Sequence, residues 1–340
     1  MKRIIFAVAI AVMALSCNKE GEQNLIPAEG TDIEIRFTAS EADTRAFFDA
    51  AAPAETWEKQ LNEVAILVFD AASGRLVLRR DMTPAEITGG KVRFSLPWSA
   101  TDKPLHFYGV ANYAVTDPAI TESGLKALLD DRIDSYNGTF AEVTAGAKRT
   151  GGFTMSGYAE VAALNANSTT AVGMILRRTV AKVAMRVTVD DEFTNRYPGA
   201  GIRINRVIVS KSEPATPVIA PLAPASGILD IVTEQASNPN GKNYENLFYL
   251  FENASRAADD CVTLIVEALF DLDGDFSTAD DQSITTYEVK LNRLAGGAVV
   301  RNGYYRVDAS LKGLEGSEIE ITIKVADWEN PITQSESLGN

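Results

Sequence analysis

Residues 318–326 read EIEITIKVA, and this stretch decides the fold. Its apolar residues alternate with glutamate, threonine and lysine, which is the period of two typical of a β-strand with one buried face. Similar short segments recur along the chain. Leucines at a helical spacing predict one helix over residues 121–131, and Thr121 can cap its N-terminus. Short strands separated by turn residues predict an all-β fold of antiparallel sandwiches with minor helix. The predicted strands are residues 32–39, 61–70, 75–80, 91–96, 104–113, 153–157, 168–176, 179–189, 202–210, 246–252, 261–270, 284–292, 303–311 and 318–326.

Length and composition set the scale of this fold. The chain has 340 residues, of which 46% are hydrophobic, so it is long enough for two domains with a core each. Its formal net charge of −14 argues against a nucleic-acid partner, because nucleic acid repels an acidic surface. We expect an N-terminal sandwich domain over residues 46–176 and a C-terminal one over residues 177–340, with a long loop at residues 132–152.

The N-terminus reads MKRIIFAVAIAVMALSC and has the features of an export signal. Two basic residues precede an apolar run, residues 4–15, that is too short to span a bilayer, which takes about 20 residues. The Leu-Ser-Cys that ends the run resembles a bacterial lipobox, where the signal is cut before the cysteine and the cysteine carries lipid. We therefore predict a signal peptide over residues 1–16, a lipid on Cys17, and a tether with a first strand over residues 17–45. An ordinary signal peptide with an incidental cysteine is the alternative.

Residues suited to catalysis are scarce. His106 is the only histidine, so the chain offers no second imidazole for a metal and no obvious base–nucleophile pair. With Cys17 in the signal region, Cys261 is left alone, and its place at the start of an apolar strand predicts a buried structural thiol. We therefore expect neither an enzyme nor a cofactor.

One acidic loop resembles a calcium-binding sequence. Asp271, Asp273 and Asp275 alternate along it, and Asp280 and Asp281 follow. An EF-hand requires glycine at position six and glutamate at position twelve, whereas this loop has glycine at position four and glutamine at position twelve. The segment also joins two predicted strands, where Asp-Gly is common in hairpin turns. A solvated turn is therefore the favoured interpretation, with a calcium site at Asp271, Asp273 and Asp275 as the alternative.

The residues around the first strand suggest that it can be removed. Ile33, Ile35 and Phe37 share one face of residues 32–39, and Asp32, Glu34 and Arg36 are expected on the solvent face. Loss of this strand would expose backbone donors and acceptors together with an apolar groove. That state is unfavourable until another strand pairs there.

The order of several motifs resembles the fimbrillin family, the major fimbrial subunits (type V pilins) of Bacteroidetes. The resemblance covers nearly the whole chain and rests on the order and spacing of the motifs together. The motifs are the lipobox at Cys17, IEIRFTAS at 33–40, TRAF at 44–47, LNEVAILVFD at 61–70, YGVANY at 108–113, FTMSG at 153–157, the segment from Arg178 to Lys182, FYLFEN at 248–253 and VADW at 325–328.

The resemblance implies two tandem transthyretin-like β-sandwich domains and export as a lipoprotein of the outer membrane. It implies cleavage by a trypsin-like surface protease between Arg45 and Ala46, where the sequence has the family's Ala-Phe after the arginine. Cleavage removes the first strand, and a strand from another subunit takes its place as the fimbria grows. The implied partners are copies of this chain or related fimbrial subunits, the protease, the membrane through the lipid anchor, and an unidentified host or bacterial surface ligand.

The sequence leaves three alternatives open. The tail after Trp328 is 12 residues long and mostly polar, which suits a donor strand poorly and leaves a fimbrial tip adhesin or anchor as an alternative to a stalk subunit. Residues 318–326 could themselves supply part of the donor strand. A surface glycan-binding lipoprotein of a nutrient-uptake system is the alternative from a different class of protein.

Overall fold

A computed structural model describes the following parts of the chain: residues 30–36, 55–132, 137–146, 152–164, 169–220, 227–235, 242–253, 261–291, 299–314 and 319–327. Among the sequence-predicted positions, Cys17, Phe37, Arg45, Ala46 and Trp328 lie outside these ranges. Within the ranges, none of the helices has the length and apolarity needed to cross a membrane.

Two sheets form the first half of the chain. The smaller sheet contains β1 (Gly30–Arg36), β4 (Lys91–Pro97) and β9 (Thr170–Gly173), with β1 in the middle. The larger sheet contains β2 (Val64–Asp70), β3 (Leu76–Asp81), β5 (Leu105–Ala111), β8 (Met155–Val161) and β10 (Arg177–Arg178). Its strand order is β10-β8-β5-β2-β3.

Two further sheets form the second half. One contains β7 (Gly138–Thr139), β11 (Val180–Val189), β15 (Asn243–Phe251), β18 (Gly303–Leu311) and β19 (Ile319–Asp327), in the order β19-β18-β11-β15-β7. The other contains β12 (Gly201–Ser212), β14 (Leu229–Glu234), β16 (Thr263–Asp271) and β17 (Gln282–Lys290), in the order β14-β12-β16-β17. A small ribbon pairs β6 (Leu129–Asp130) with β13 (Thr216–Pro217).

Short helices connect the strands. The α-helices are α1 (Pro84–Gly89), α2 (Glu122–Lys126), α3 (Phe140–Gly146) and α4 (Asp191–Arg196), and the 3₁₀ helices are η1 (Thr56–Lys59) and η2 (Trp98–Ala100). In α1 the Thr83 side chain accepts a hydrogen bond from the Glu86 amide and the Glu86 side chain accepts one from the Thr83 amide, which is a capping box. Such caps let helices of only six residues form between strands.

Each half buries a core between its two sheets. In the first half the alternating residues of β1, β4 and β9 pack against those of β2, β5 and β8, and in the second half β11, β15 and β18 pack against β12, β16 and β17. β2 is buried on both faces, because Ala65, Leu67 and Phe69 form another core with α2 and with residues 218 and 219. That double burial explains the continuous apolar run of residues 64–69.

The predicted all-β sandwich architecture is confirmed, with two differences in detail. The β1–β9 and β11–β18 pairs are parallel, whereas the prediction was for antiparallel sheets throughout. In both pairs the two strands are far apart in sequence, so the chain can return in the same direction.

Two local predictions are wrong. Thr121 caps α2 as predicted, but the helix ends at Lys126 rather than continuing to residue 131. Residues 129 and 130 instead form β6 and pair with β13 from the second half of the chain, and this distant pairing overrides the helical spacing of leucines. The predicted loop at residues 132–152 contains β7 and α3.

Candidate functional site: the central strand of the first sheet

β1 joins the two other strands of its sheet. All seven of its residues pair antiparallel with β4, and residues 33–36 also pair parallel with β9. Its backbone N–H and C=O groups are therefore used on both sides. The first described strand of the chain thus occupies a central position, which a sheet cannot leave empty without exposing two edges.

The inward face of β1 completes the first core. Ile33 and Ile35 are both 0% exposed. The register sets Ile33 beside Phe94, and it sets Ile35 between Val92 and Val172. The prediction that these two isoleucines share one buried face is confirmed, and their removal would open a groove lined by apolar side chains.

The outward face of β1 differs from the expectation at Glu34. Its residue is only 3% exposed rather than facing solvent, because the side chains of Arg36 and Arg93 hydrogen-bond to its carboxylate from either side. The hydrogen bond from Arg36, followed by that from Arg93, outweighs the effect of burial and lowers the pKa of Glu34 from its ordinary value of 4.5. Arg93 belongs to β4, so this ion pair is a side-chain link between β1 and its neighbour.

The chain after residues 37–54 is anchored in the second half of the molecule. Glu58 of η1 is 0% exposed, and its Oε1 lies 2.8 Å from Nζ of Lys182 in β11. The hydroxyl of Tyr249 in β15 donates a hydrogen bond of 2.5 Å to the same carboxylate. Burial, with the nearby charge of Glu58, raises the pKa of Tyr249 well above its ordinary value, so this hydroxyl remains a donor.

Neighbouring contacts reinforce this anchor. Arg178 is completely buried, its Nε donates to the backbone oxygen of Glu58 at 2.9 Å, and its Nη1 donates to Oδ1 of Asn302 at 3.0 Å. The Trp57 ring packs against the rings of Phe153 and Tyr249 at centroid distances of 5.8 and 5.5 Å. The η1 segment is thereby held by both halves of the chain.

Sequence reasoning missed Glu58, although one signal for it was present. Lys182 interrupts the apolar run TVAKVAMRV of β11, and a lysine in such a strand needs a charged partner when it is buried. The partner is 124 positions away in sequence, so no local pattern points to it.

The last described strand, β19, lies at an edge. It pairs along its whole length with β18 and is the terminal strand in the sheet order. Its half-buried Ile319 and Ile321 pack against the second core. An edge strand is bonded on one side only, so fewer interactions hold it than hold a central strand.

His106 and Cys261, the two residues considered as catalytic candidates, make structural contacts. Nδ1 of His106 lies 3.0 Å from the Glu122 carboxylate, which also accepts hydrogen bonds of 2.6 Å from the Tyr108 hydroxyl and from Nζ of Lys126. This network fastens α2 to β5. Cys261 is 1% exposed and has a free thiol, which confirms the predicted buried cysteine.

The carboxylates that lie together in the acidic loop differ from the predicted set, because Asp281 takes the place of Asp275. Asp271 and Asp273 meet Asp281, and one carboxylate oxygen from each lies within 4.8 Å of the others. Asp275 instead accepts hydrogen bonds from the backbone N–H and the hydroxyl of Ser277, at 3.0 and 2.6 Å. Burial, followed by the negative charges of Asp273 and Asp271, raises the pKa of Asp281.

Several residues of the sequence motifs permit a particular backbone conformation or a close approach of strands. Gly109 and Gly157 face each other across β5 and β8, and a Cβ on either would come within 2.7 Å of the Met174 side chain. Asn112 adopts a positive φ of 56°, and its Nδ2 donates to the backbone oxygen of Phe153 at 2.8 Å. Within the YGVANY and FTMSG motifs, Gly109 and Gly157 therefore allow close strand packing, and Asn112 allows a turn.

The sequence matches no protein-family model and no curated protein, but solved structures share the fold. A proposed cell adhesion protein from Bacteroides eggerthii superposes with a TM-score of 0.58 at 17% identity, covering 90% of this chain and 98% of that one. A fimbrilin from Porphyromonas gingivalis gives 0.58 at 14% identity, covering 88% and 99%. The tip fimbrial protein Mfa3 of that species, truncated at its C-terminus, gives 0.52 at 14% identity, covering 87% and 100%.

The chain has the fimbrillin fold. The likeness extends over nearly the full length of each solved chain, so it covers both sandwiches rather than one of them. The resemblance inferred from the motifs is thus confirmed at the level of the fold. Fimbrillin-fold proteins in the comparison include both a fimbrilin and a fimbrial tip protein, so the fold alone does not separate these two roles.

The buried anchor generates a stability prediction. Replacing Glu58 with alanine leaves Lys182 buried without its carboxylate, which should lower the free energy of unfolding by roughly 3–5 kcal/mol. Urea denaturation at neutral pH measures the change. Glu245→Ala is the matched control, because it removes a half-exposed partner 3.5 Å from Arg186 and should cost under ~1 kcal/mol. Equal effects of the two substitutions would contradict the assigned role of Glu58.

The ion pairs of Glu34 generate a pH prediction. Its folded-state pKa is lowered, so its contribution to stability is present above the unfolded-state value and is lost as the pH falls below 4.5 through the folded-state value. Glu34→Gln should therefore lower the stability at pH 7 by about 1 kcal/mol, and the difference from the unmodified protein should shrink at low pH. Thermal melts from pH 7 to pH 3 measure this difference. Asp32→Asn on the same strand is the control, and a pH-independent gap for Glu34→Gln would refute the interpretation.

Proposed function

We propose that this protein is a structural subunit of cell-surface fimbriae that serves adhesion and is assembled by protease-triggered donor-strand exchange. In this proposal the chain is exported as a lipoprotein, with lipid on Cys17, to the outer membrane. A trypsin-like surface protease then cuts between Arg45 and Ala46. The partners are other copies of the chain or related fimbrial subunits, and the cell-surface location follows from the same scheme. The role is one of assembly and binding rather than catalysis.

The central position of β1 carries this proposal. Neighbouring strands lie about 4.8 Å apart, so removing β1 leaves β4 and β9 separated by roughly 9–10 Å. Backbone groups on both strands would then face an empty slot flanked by the inward side chains of Phe94, Val92 and Val172 and floored by the core residues of the facing sheet. A strand from another molecule is the kind of ligand that satisfies both edges and fills the floor.

The energetics make the uncut chain a stable monomer. Burying Ile33 and Ile35 contributes about 3–6 kcal/mol, at roughly 1.5–3 kcal/mol for each fully buried side chain. While β1 is part of the same chain, it competes with any incoming strand at a high effective concentration. A cut after Arg45 removes that advantage, because β1 can then dissociate.

The buried contacts of Glu58 limit how much of the chain would be released by cleavage after Arg45. The new N-terminus would lie at Ala46, and η1 begins ten residues later at Thr56. The buried contacts of Glu58 with Lys182 and Tyr249 do not depend on β1. Cleavage can therefore free one strand while the remainder of the sandwich stays folded.

The sequence of β19 suits it to the vacated slot. Ile319-Glu320-Ile321 repeats the Ile33-Glu34-Ile35 of β1, with the same alternation of apolar and acidic residues. β19 lies at a sheet edge, and the chain continues beyond it for residues 328–340. In the proposed fibre, this segment of one subunit enters between β4 and β9 of the next, and Glu320 takes the place of Glu34 beside Arg93.

A fimbrial tip or anchor subunit is the second candidate. It is favoured by the match to the tip fimbrial protein Mfa3 and by the mostly polar residues after Trp328. Mass spectrometry of the mature protein from cells separates the roles. A stalk subunit should begin at Ala46, whereas an anchor should begin at Cys17, carry lipid and retain β1.

The cleavage step yields a prediction at Arg45. The purified precursor without its signal should stay monomeric, and limited digestion with an arginine-specific protease should give a fragment beginning at Ala46 that forms ladders on a native gel. Arg45→Ala should block both the fragment and the ladder. Arg75→Ala is the control, because Arg75 is exposed in the β2–β3 turn and should have no effect. Polymers formed in cells by Arg45→Ala, or fibres whose subunits keep residues 32–39, would rule out strand exchange.

The donor assignment yields a charge-swap prediction. Glu320→Lys or Arg93→Glu should slow polymerisation of the cleaved protein about tenfold, since each sets like charges side by side in the slot. The double variant restores an opposite pair and should recover most of the rate, measured by light scattering. Uncleaved monomer stability serves as the control for folding. If the two single variants polymerise normally after cleavage, β19 is not the donor.

A further inference from the structure

We propose that Asp271, Asp273 and Asp281 form a binding site for one calcium ion at the tip of the β16–β17 hairpin. The site lies in the second sandwich and is separate from the slot of β1. It does not depend on the proposed fimbrial role.

The three carboxylates are spaced as ligands of one ion. One oxygen from each lies within 4.8 Å of the other two. Ca²⁺–oxygen bonds are about 2.3–2.6 Å long, so oxygens on opposite sides of a calcium ion lie roughly 4.6–5.2 Å apart. All three oxygens can therefore reach a single central ion with little movement of the loop.

A buried oxygen without a partner points to a ligand in this position. Asp271 is 0% exposed, and its Oδ1 has no hydrogen-bond partner among the described residues. Oδ1 of Asp281 is likewise buried and without a partner in the same part of the structure. Leaving charged oxygens buried and unsatisfied is costly, and a bound cation removes that cost for both.

Hydrogen bonds to the other side of these carboxylates fix their orientation. Nε2 of Gln282 donates to Oδ2 of Asp271 at 3.0 Å, which leaves Oδ1 free for a ligand. The backbone N–H of Asp275 donates to Oδ1 of Asp273 at 2.8 Å. Support of this kind orients metal ligands before the ion arrives.

The surrounding charges favour a cation rather than a salt bridge. Across the described parts of the chain, neither lysine nor arginine forms an ion pair with these three aspartates. The guanidinium of Arg203 lies over the Phe276 ring instead, at 4.7 Å from its centroid. The three negative charges are thus left to repel one another, and a divalent ion offsets that repulsion.

The ligand chemistry selects calcium. Carboxylate oxygens suit hard cations, and zinc sites normally include nitrogen or sulfur ligands. Mg²⁺ requires oxygens at about 2.0–2.1 Å in a near-ideal octahedron, which a hairpin with three separated carboxylates supplies less readily than the flexible shell of Ca²⁺. With three protein carboxylates and an open outer side, we expect a dissociation constant of roughly 10⁻⁴–10⁻³ M.

Calcium would stabilise this end of the sandwich. A Cβ at Gly274 would lie 2.7 Å from the backbone oxygen of Gly199, so the hairpin tip packs against the segment that leads into β12. Asp271 is also the residue that pairs with Gly201 at the end of the β12–β16 ladder. An ion that joins Asp271 to Asp281 therefore closes the hairpin at the point where three strands meet.

Calcium titration of the purified full-length protein tests the proposal. The protein is first treated with a chelator, and CaCl₂ is then added while heat release and thermal unfolding are followed. We expect one ion per chain and a rise of several degrees in the midpoint of unfolding at about 5 mM calcium. MgCl₂ at the same concentration should raise the midpoint by much less.

Matched variants distinguish ligands from neighbours. Asp273→Asn and Asp281→Asn should weaken calcium binding at least about tenfold, whereas Asp280→Asn, which removes a charge from the same loop, should change it less than about threefold. Asp273 is exposed, so its substitution should not prevent folding even if that of Asp271 does. No midpoint shift for the unmodified protein, an equal shift with magnesium, or full binding by Asp273→Asn would each overturn the proposal.

Discussion

The structure depends on one constraint, which is that a central strand satisfies the backbone groups of two neighbours at once. β1 fills this position between β4 and β9 although it is the first described strand of the chain. The three-stranded sheet therefore exists only while some strand lies there. The same requirement that makes β1 necessary for the sheet also makes its slot selective for another extended segment, because little else pairs with both edges.

The second half contains the same arrangement of three strands. β11 lies between β15 and β18, antiparallel to one and parallel to the other, as β1 lies between β4 and β9. β11 has ten residues against seven in β1, and it follows β10 almost directly in the chain. Lys182 of β11 also binds Glu58, which adds a buried ion pair to its ladders. Both central strands are thus held by ladders on two sides, and each adds a side-chain ion pair, Glu34 with Arg93 in one half and Lys182 with Glu58 in the other.

The period of two predicted most strands because it reports which face of a segment is buried, and burial is what a sandwich requires of each strand. The prediction from this period failed where contacts with residues distant in sequence determine the local structure. Glu34 was expected in solvent, but Arg93 from the neighbouring strand covers it. Leucines at helical spacing near residue 129 gave way to a strand that pairs with residues 216 and 217. The position of β1 between two strands was not readable from its own seven residues.

Low sequence identity is compatible with this fold for the same reason. Alternation needs only apolar character at every second position, so Ile33 or Ile35 can change while the core remains. A few positions are stricter, since Gly109 and Gly157 have no room for a Cβ and Asn112 holds a left-handed turn. Register is fixed more tightly than composition, because a slip of one residue would carry Glu34 into the core and Ile35 into solvent. The buried carboxylate of Glu34 therefore fixes the register in which β1 lies between its two neighbours.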